Sequence, residues 1–199
     1  WETNKNERKD LTIMKRIMYL YENFLDEKER NKLIVDSMIT GKSLYSLPPK
    51  SNMGKEIKRV VKEVNENNHW YFDIDRIEYI NIFRIDNDTD NRDMHHKYWN
   101  NMVRYYGDEP KPIGIHQKEK KLVCICKLND NSENTSGGNC ELINLDGMET
   151  KIDMLPGDMV VFPAFIPFRI TPLIKGLDLD IYNERVIYLE AAIRGLSFR

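Results

Sequence analysis

The run Lys121-Leu122-Val123-Cys124-Ile125-Cys126-Lys127-Leu128 restricts the fold more than any other segment. Side chains along a strand alternate between two faces. Here both faces are apolar, so the strand must be covered on both sides and sit between two layers. The segments around it indicate what the layers are. Asp26 can cap a helix, and Glu29, three residues later, completes a capping box. That helix is expected to run to about Thr40, with Gly41 as its stop. Pro48-Pro49 marks a loop. A second helix follows, with Ile57, Val60, Val61 and Val64 on one stripe, and it ends in the Asn-rich segment Asn65 to Asn68.

From Trp70 the apolar period changes to that of strands. Tyr71 to Ile74, Glu78 to Arg84, Lys121 to Leu128, Cys140 to Asn144, Met159 to Phe162 and Arg185 to Ala192 read as strands, and Asp86–Asp93 and Asn129–Gly138 as loops. Helices followed by a run of strands predict an α+β, mainly β fold, with the N-terminal helices packed on one sheet of a sandwich or jelly roll. Neither an internal repeat nor a dividing linker is visible, so residues 22–199 are expected to form one domain. Residues 1–21 are read as a lead-in segment. Within it Ile13, Ile17 and Leu20 are helically spaced, while Met14, Met18, Tyr19 and Tyr21 load other faces. Strand and helix both remain open there, and either could pack on a partner.

Composition excludes several classes. The chain of 199 residues is long enough for one ordinary core. At 41% hydrophobic and 31% charged it reads as globular, not disordered. A net charge of -2 predicts no general attraction to nucleic acid or to acidic membranes. No apolar run is long enough to span a bilayer, and the start shows no signal-peptide pattern. Three cysteines argue against a disulfide framework, and Cys124 and Cys126 read as small core hydrophobes. A cytoplasmic or virion-associated location is expected.

Several pieces occur in the order of a known family. They are Trp70-Tyr71-Phe72-Asp73-Ile74 with Ile80 to Arg84, then Lys121-Leu122 with Lys127-Leu128-Asn129-Asp130. Gly137-Gly138-Asn139-Cys140-Glu141-Leu142 follows, and then Pro156-Gly157-Asp158 leading into Met159 to Pro172. Together, over roughly Glu22 to Gly195, the chain resembles the Fe(II)/2-oxoglutarate dioxygenases, most of all the short prolyl-4-hydroxylase-like members of bacteria and phages. The resemblance implies a double-stranded β-helix, a jelly-roll barrel with helices backing one sheet. It implies a metal held by His-x-Asp (or Glu) on one strand and by a distal His. It also implies a basic residue that pairs with the far carboxylate of 2-oxoglutarate.

The implied site is broken. His95 matches the first ligand, but Lys97 stands where the carboxylate belongs, and a cation repels Fe(II). The alternative placement, His116-Gln117-Lys118, also ends in lysine. The distal histidine is replaced by Phe168, and no histidine follows His116. Arg185 matches the 2-oxoglutarate arginine as a remnant anion site. Its bland alternative, shared with Arg169, is an ion pair with Asp178, Asp180 or Glu184. Phe168, with Phe162, Phe165 and Ile166, is expected to fill the vacated cavity with apolar mass.

Other signals are weaker. Gly41-Lys42-Ser43 lacks the earlier glycine of a P-loop, and Asp86, Asp88 and Asp90 lack the glycine and closing glutamate of a calcium loop. His69 reads as a surface or packing residue, and Glu141 as a strand-edge charge or a substitute ligand. Tyr98-Trp99 and Tyr105-Tyr106 are candidate anchors of a partner surface.

The expected function is a catalytically degenerate oxygenase-like protein, without bound Fe(II) or 2-oxoglutarate. It would act as a structural or binding module with protein partners, its own copies included. The Lys-, Asn- and Ile-rich composition and the phage likeness suggest a virion or assembly component. The alternative is an active Fe(II)/2-oxoglutarate hydroxylase with irregular ligands, such as His95 with Asp93 or Glu141.

Overall fold

The computed structural model describes residues 17–39, 44–86, 119–130, 135–143, 147–171, 173–175 and 185–195. In chain order these form β1 (Tyr19–Tyr21), α1 (Glu27–Ile39), β2 (Leu44–Leu47), α2 (Asn52–Asn67), β3 (Arg76–Asp86), β4 (Glu119–Lys127) and β5 (Thr135–Ser136). They continue with β6 (Cys140–Ile143), β7 (Glu149–Lys151), β8 (Met159–Pro163), β9 (Phe168–Ile170), β10 (Ile174–Lys175) and β11 (Arg185–Gly195). The main sheet has the order β1-β8-β4-β11-β3-β2, a smaller sheet the order β7-β6-β9, and β5 pairs with β10. Every pairing is antiparallel.

The two faces of β4 behave as its sequence demands. Leu122, Cys124 and Cys126 join a core shared with both helices, while Val123 and Ile125 join a second core against the smaller sheet. The fold is therefore mainly β, a sandwich with the helices on the outer face of the main sheet. Helix α2 lays its expected stripe, Ile57, Val60, Val61 and Val64, fully into the first core. Ser51 caps it, its hydroxyl accepting from the Gly54 amide at 3.2 Å. Helix α1 starts where expected, with the Asp26 carboxylate accepting from the Glu29 amide at 2.8 Å. Among the described residues no helix is long and apolar enough to cross a membrane.

Asp158 ties α1 to the sheet. Its buried carboxylate accepts from the Asn23 and Leu155 amides, each at 2.9 Å. Beside it the Leu25 amide donates to the Gly157 carbonyl at 3.1 Å, and the Gly157 amide to the Lys127 carbonyl at 2.8 Å. Gly157 has φ +99°, and a Cβ there would stand 2.4 Å from the Leu25 carbonyl oxygen. Only glycine satisfies both the turn and the close approach.

One expectation is corrected, one strand was not expected, and one open choice is decided. Tyr71 to Ile74 is not a strand. The Asn65 side chain donates to the Phe72 carbonyl and accepts from the Phe72 amide, both at 3.0 Å, so it replaces the neighbouring strand such a segment would need. His69 and Tyr71 take left-handed φ of 56° and 51°, while Trp70, Phe72 and Ile74 tuck onto the helix-side core. Leu44–Leu47, with no strand expected, is the edge strand β2, paired with β3. Tyr19–Tyr21, in the lead-in segment, is β1, the opposite edge of the main sheet, paired with β8.

Candidate functional site

The inner faces of the two sheets meet in the second core. Pairing sets which side chains enter it. Across β3 and β11, Val186 faces Ile85 and Tyr188 faces Phe83; across β6 and β9, Leu142 faces Phe168. Phe168 is completely buried. Its ring meets that of Phe162 edge to face, with centroids 5.3 Å apart. Phe83 stacks on Tyr188 at 5.9 Å. The Tyr188 hydroxyl donates to the Gly138 carbonyl at 2.6 Å, and burial pushes this phenol well above its ordinary range. Among the described residues this part of the interior is lined with aromatic and aliphatic groups, and the Tyr188 hydroxyl is engaged with backbone.

Phe168 faces the interior with Phe162 and Ile166, whereas Phe165, expected among them, is exposed. Arg185 opens β11 in register with Asp86. By alternation it shares a face with Ile187 and Leu189, which belong to the helix-side core, whereas Val186 and Tyr188 project between the sheets. Its carbonyl accepts from the Asn129 side chain at 2.7 Å. Glu141 and Arg169 face each other in register and form an ion pair at 2.8 Å, with Glu149 joining Arg169 at 3.0 Å. Their strand neighbours Cys140, Leu142, Phe168 and Ile170 point inward. Glu141 is thus on the outer face of the smaller sheet, held by a cation. Asp178, Asp180 and Glu184, the expected partners of Arg169, lie outside the described residues; within them Glu141 and Glu149 pair with it. His95, Lys97, His116, Asp93 and the segments Tyr98-Trp99 and Tyr105-Tyr106 also lie outside them. His69 is exposed and its Nδ1 contacts the Tyr71 hydroxyl at 2.7 Å.

The donors around Phe168 can be tested against Fe(II). A phenyl ring offers no lone pair. Cys140 shares the same core, but burial pushes its thiol far up, so it stays protonated and is a poor ligand. Cys124 and Cys126 are pushed up in the same way on the other face of the sheet. Among the described residues no group of three or more His, Cys, Asp or Glu is arranged to hold a metal. Phe168 and the thiol beside it therefore offer Fe(II) no donor.

Sequence reasoning missed a polar cluster on the same face of the main sheet, beyond the apolar fill. Glu190, in the central strand β11, is buried and accepts from the Tyr79 hydroxyl at 2.6 Å. Lys120 reaches that hydroxyl at 3.3 Å and lies over the Tyr79 ring, 5.0 Å from its centroid. Desolvation raises the Glu190 carboxyl above its ordinary range, opposed by the Tyr79 hydrogen bond and the Lys120 charge. The signal was legible: Glu190 is the lone charge in the apolar run Val186 to Ile193.

No protein-family model matches the chain, and no curated protein matches it in sequence. Solved structures do match in fold. The viral collagen prolyl hydroxylase of Paramecium bursaria Chlorella virus-1 superposes with a TM-score of 0.60 at 15% identity, covering 91% of this chain and 90% of that one. A Pseudomonas putida prolyl-4-hydroxylase gives 0.56 at 11% identity, covering 90% and 93%. The iron-bound HygX of Streptomyces hygroscopicus gives 0.52 at 11% identity, covering 96% and 87%.

The chain has a prolyl-hydroxylase-like 2-oxoglutarate oxygenase fold.

In this oxygenase-like fold, Phe168 on β9 is the residue that the sequence likeness sets in place of the distal histidine. The Phe162–Phe168 pair fills that part of the interior.

Proposed function

We propose that this chain keeps the oxygenase fold, closed as a double-stranded β-helix, as a binding or structural module and not as an Fe(II)/2-oxoglutarate hydroxylase. The observation that carries the reading is Phe168. At the position the resemblance gives to a metal ligand stands a fully buried phenyl ring packed on Phe162. Interiors are packed to crystal-like density, so such a ring contributes cohesion where an active site would keep an open coordination position. The face that Arg185 takes supports the same reading. The interior-facing residues at the start of β11 are Val186 and Tyr188, neither of which can neutralise a dicarboxylate. The partners of such a module are proteins, copies of itself included. A place in a virion or its assembly belongs to this reading through the composition and the phage likeness.

The deciding experiment is anaerobic titration of the protein with Fe(II) and 2-oxoglutarate, watching for the visible charge-transfer band of the chelated complex. A flat trace is expected. A saturable band that disappears in His95→Ala would overturn the proposal in favour of an active hydroxylase with irregular ligands.

A further inference from the structure

Helix α1 buries Leu33 and Ser37 on one side and leaves a second apolar stripe in solvent. On that outer side Val35, Met38 and Ile39 are 53%, 46% and 79% exposed. Residues three and four apart are neighbours on a helix, so the three form one patch. The outer side of a surface helix ordinarily carries polar residues, and an apolar patch there marks an interaction surface.

Two lysines extend the stripe toward the helix start. Lys28, Lys32, Val35 and Ile39 follow one another at intervals of four, three and four, the spacing of a coiled-coil seam. All four are exposed. The seam is lysine in its first half and aliphatic in its second. Two such helices packed parallel would set each lysine against its own copy, and like charges repel. Packed antiparallel, Lys28 meets the partner's Ile39 and Lys32 meets the partner's Val35. Lysine stems cover apolar surface while their ammonium groups stay in water. Asp36 stands on the flank of the seam next to Val35, where an antiparallel copy brings the partner's Lys32. Among the described residues Lys32 and Asp36 make no ion pair within the chain.

We propose that the outer face of α1 is the interface of a two-fold homodimer in which the helix packs antiparallel on its copy. A two-fold interface uses one patch on both subunits, so the patch must complement itself. The divided seam does so in the antiparallel arrangement alone. Taking the partner to be a copy of the chain rests on the module reading above. Fe(II) binding tests that reading and oligomeric state tests this interface, so either can fail alone.

Sedimentation velocity of the full chain over a concentration series is the test. A reversible monomer–dimer equilibrium is expected. Val35→Glu and Ile39→Glu should each weaken dimerisation at least tenfold, and Lys55→Gln on the exposed face of α2 should leave it unchanged. Lys32→Asp and Asp36→Lys should each weaken it too. The double variant should restore it, because the exchanged charges meet again across the axis. Val35 and Ile39 are exposed, so their variants should fold, as far-UV circular dichroism will check. A chain that stays monomeric throughout the series, or a dimer that both glutamate variants leave intact, would overturn the interface. A double variant that dimerises no better than the two single charge variants would overturn the antiparallel arrangement.

Discussion

Replacing Phe168 with alanine tests whether its ring is structural. The side chain is fully buried between the sheets and makes an edge-to-face pair with Phe162. Truncating a buried phenylalanine costs about 3–5 kcal/mol, the lost transfer energy plus the cavity left behind. That figure includes the ring pair, worth about 0.5–1.5 kcal/mol beyond area. For a chain of this size the melting midpoint should fall by roughly 6–20 °C, read by urea and thermal unfolding. Phe168→His is the sharper variant. Its imidazole would enter an apolar surrounding with no described partner for its ring nitrogens, at a further cost of about 1–3 kcal/mol for the desolvated polar group. Added Fe(II) should leave the midpoint of this variant unchanged. The reasoning fails if Phe168→Ala costs less than about 1 kcal/mol, since the ring would then not be filling a packed interior. It fails equally if Fe(II) raises the midpoint of Phe168→His, since binding to the folded state would reveal other ligands in place.

Glu190 should make stability depend on pH. Its folded carboxyl is raised above the ordinary value of 4.5 by desolvation, so the folded state holds the proton more tightly than the unfolded chain. The stabilising contribution is therefore complete below the unfolded value and is lost as pH rises through the folded one. Urea unfolding across pH 4–8 should show this decline in the native chain and a flatter profile in Glu190→Gln; equal slopes would refute it. Asp158→Ala should destabilise by about 2–4 kcal/mol, because the Asn23 and Leu155 amides lose their acceptor. Amide exchange should then rise first at Asn23 and Leu25, and an unchanged urea midpoint would show that the turn does not anchor α1.

Much of the architecture was legible because it rests on local periodicity. The stripe of α2 and the two apolar faces of the strand from Lys121 to Leu128 each follow from spacing within one segment, and both appear as expected. The turn Pro156-Gly157-Asp158 was recognised, but the use of Asp158 was not, since its acceptors serve amides on either side of a long stretch of chain. Tyr71 to Ile74 was misread for a related reason. Its alternation suits a strand, yet Asn65 supplies the hydrogen bonds a neighbouring strand would have made. β2 was missed because four residues carry too little period to stand out.

Chemistry, by contrast, divides sharply between the two levels. The sequence alone determined that Phe168 cannot ligate a metal, because a phenyl ring lacks a lone pair in any fold. It also determined that one strand had to be covered on both faces. Only the tertiary structure decided the face Arg185 takes and the outward pairing of Glu141 with Arg169. Those outcomes depend on strand register, in which a shift of one residue moves a side chain to the opposite face. Register is set by long-range packing and bulges, which no local pattern encodes.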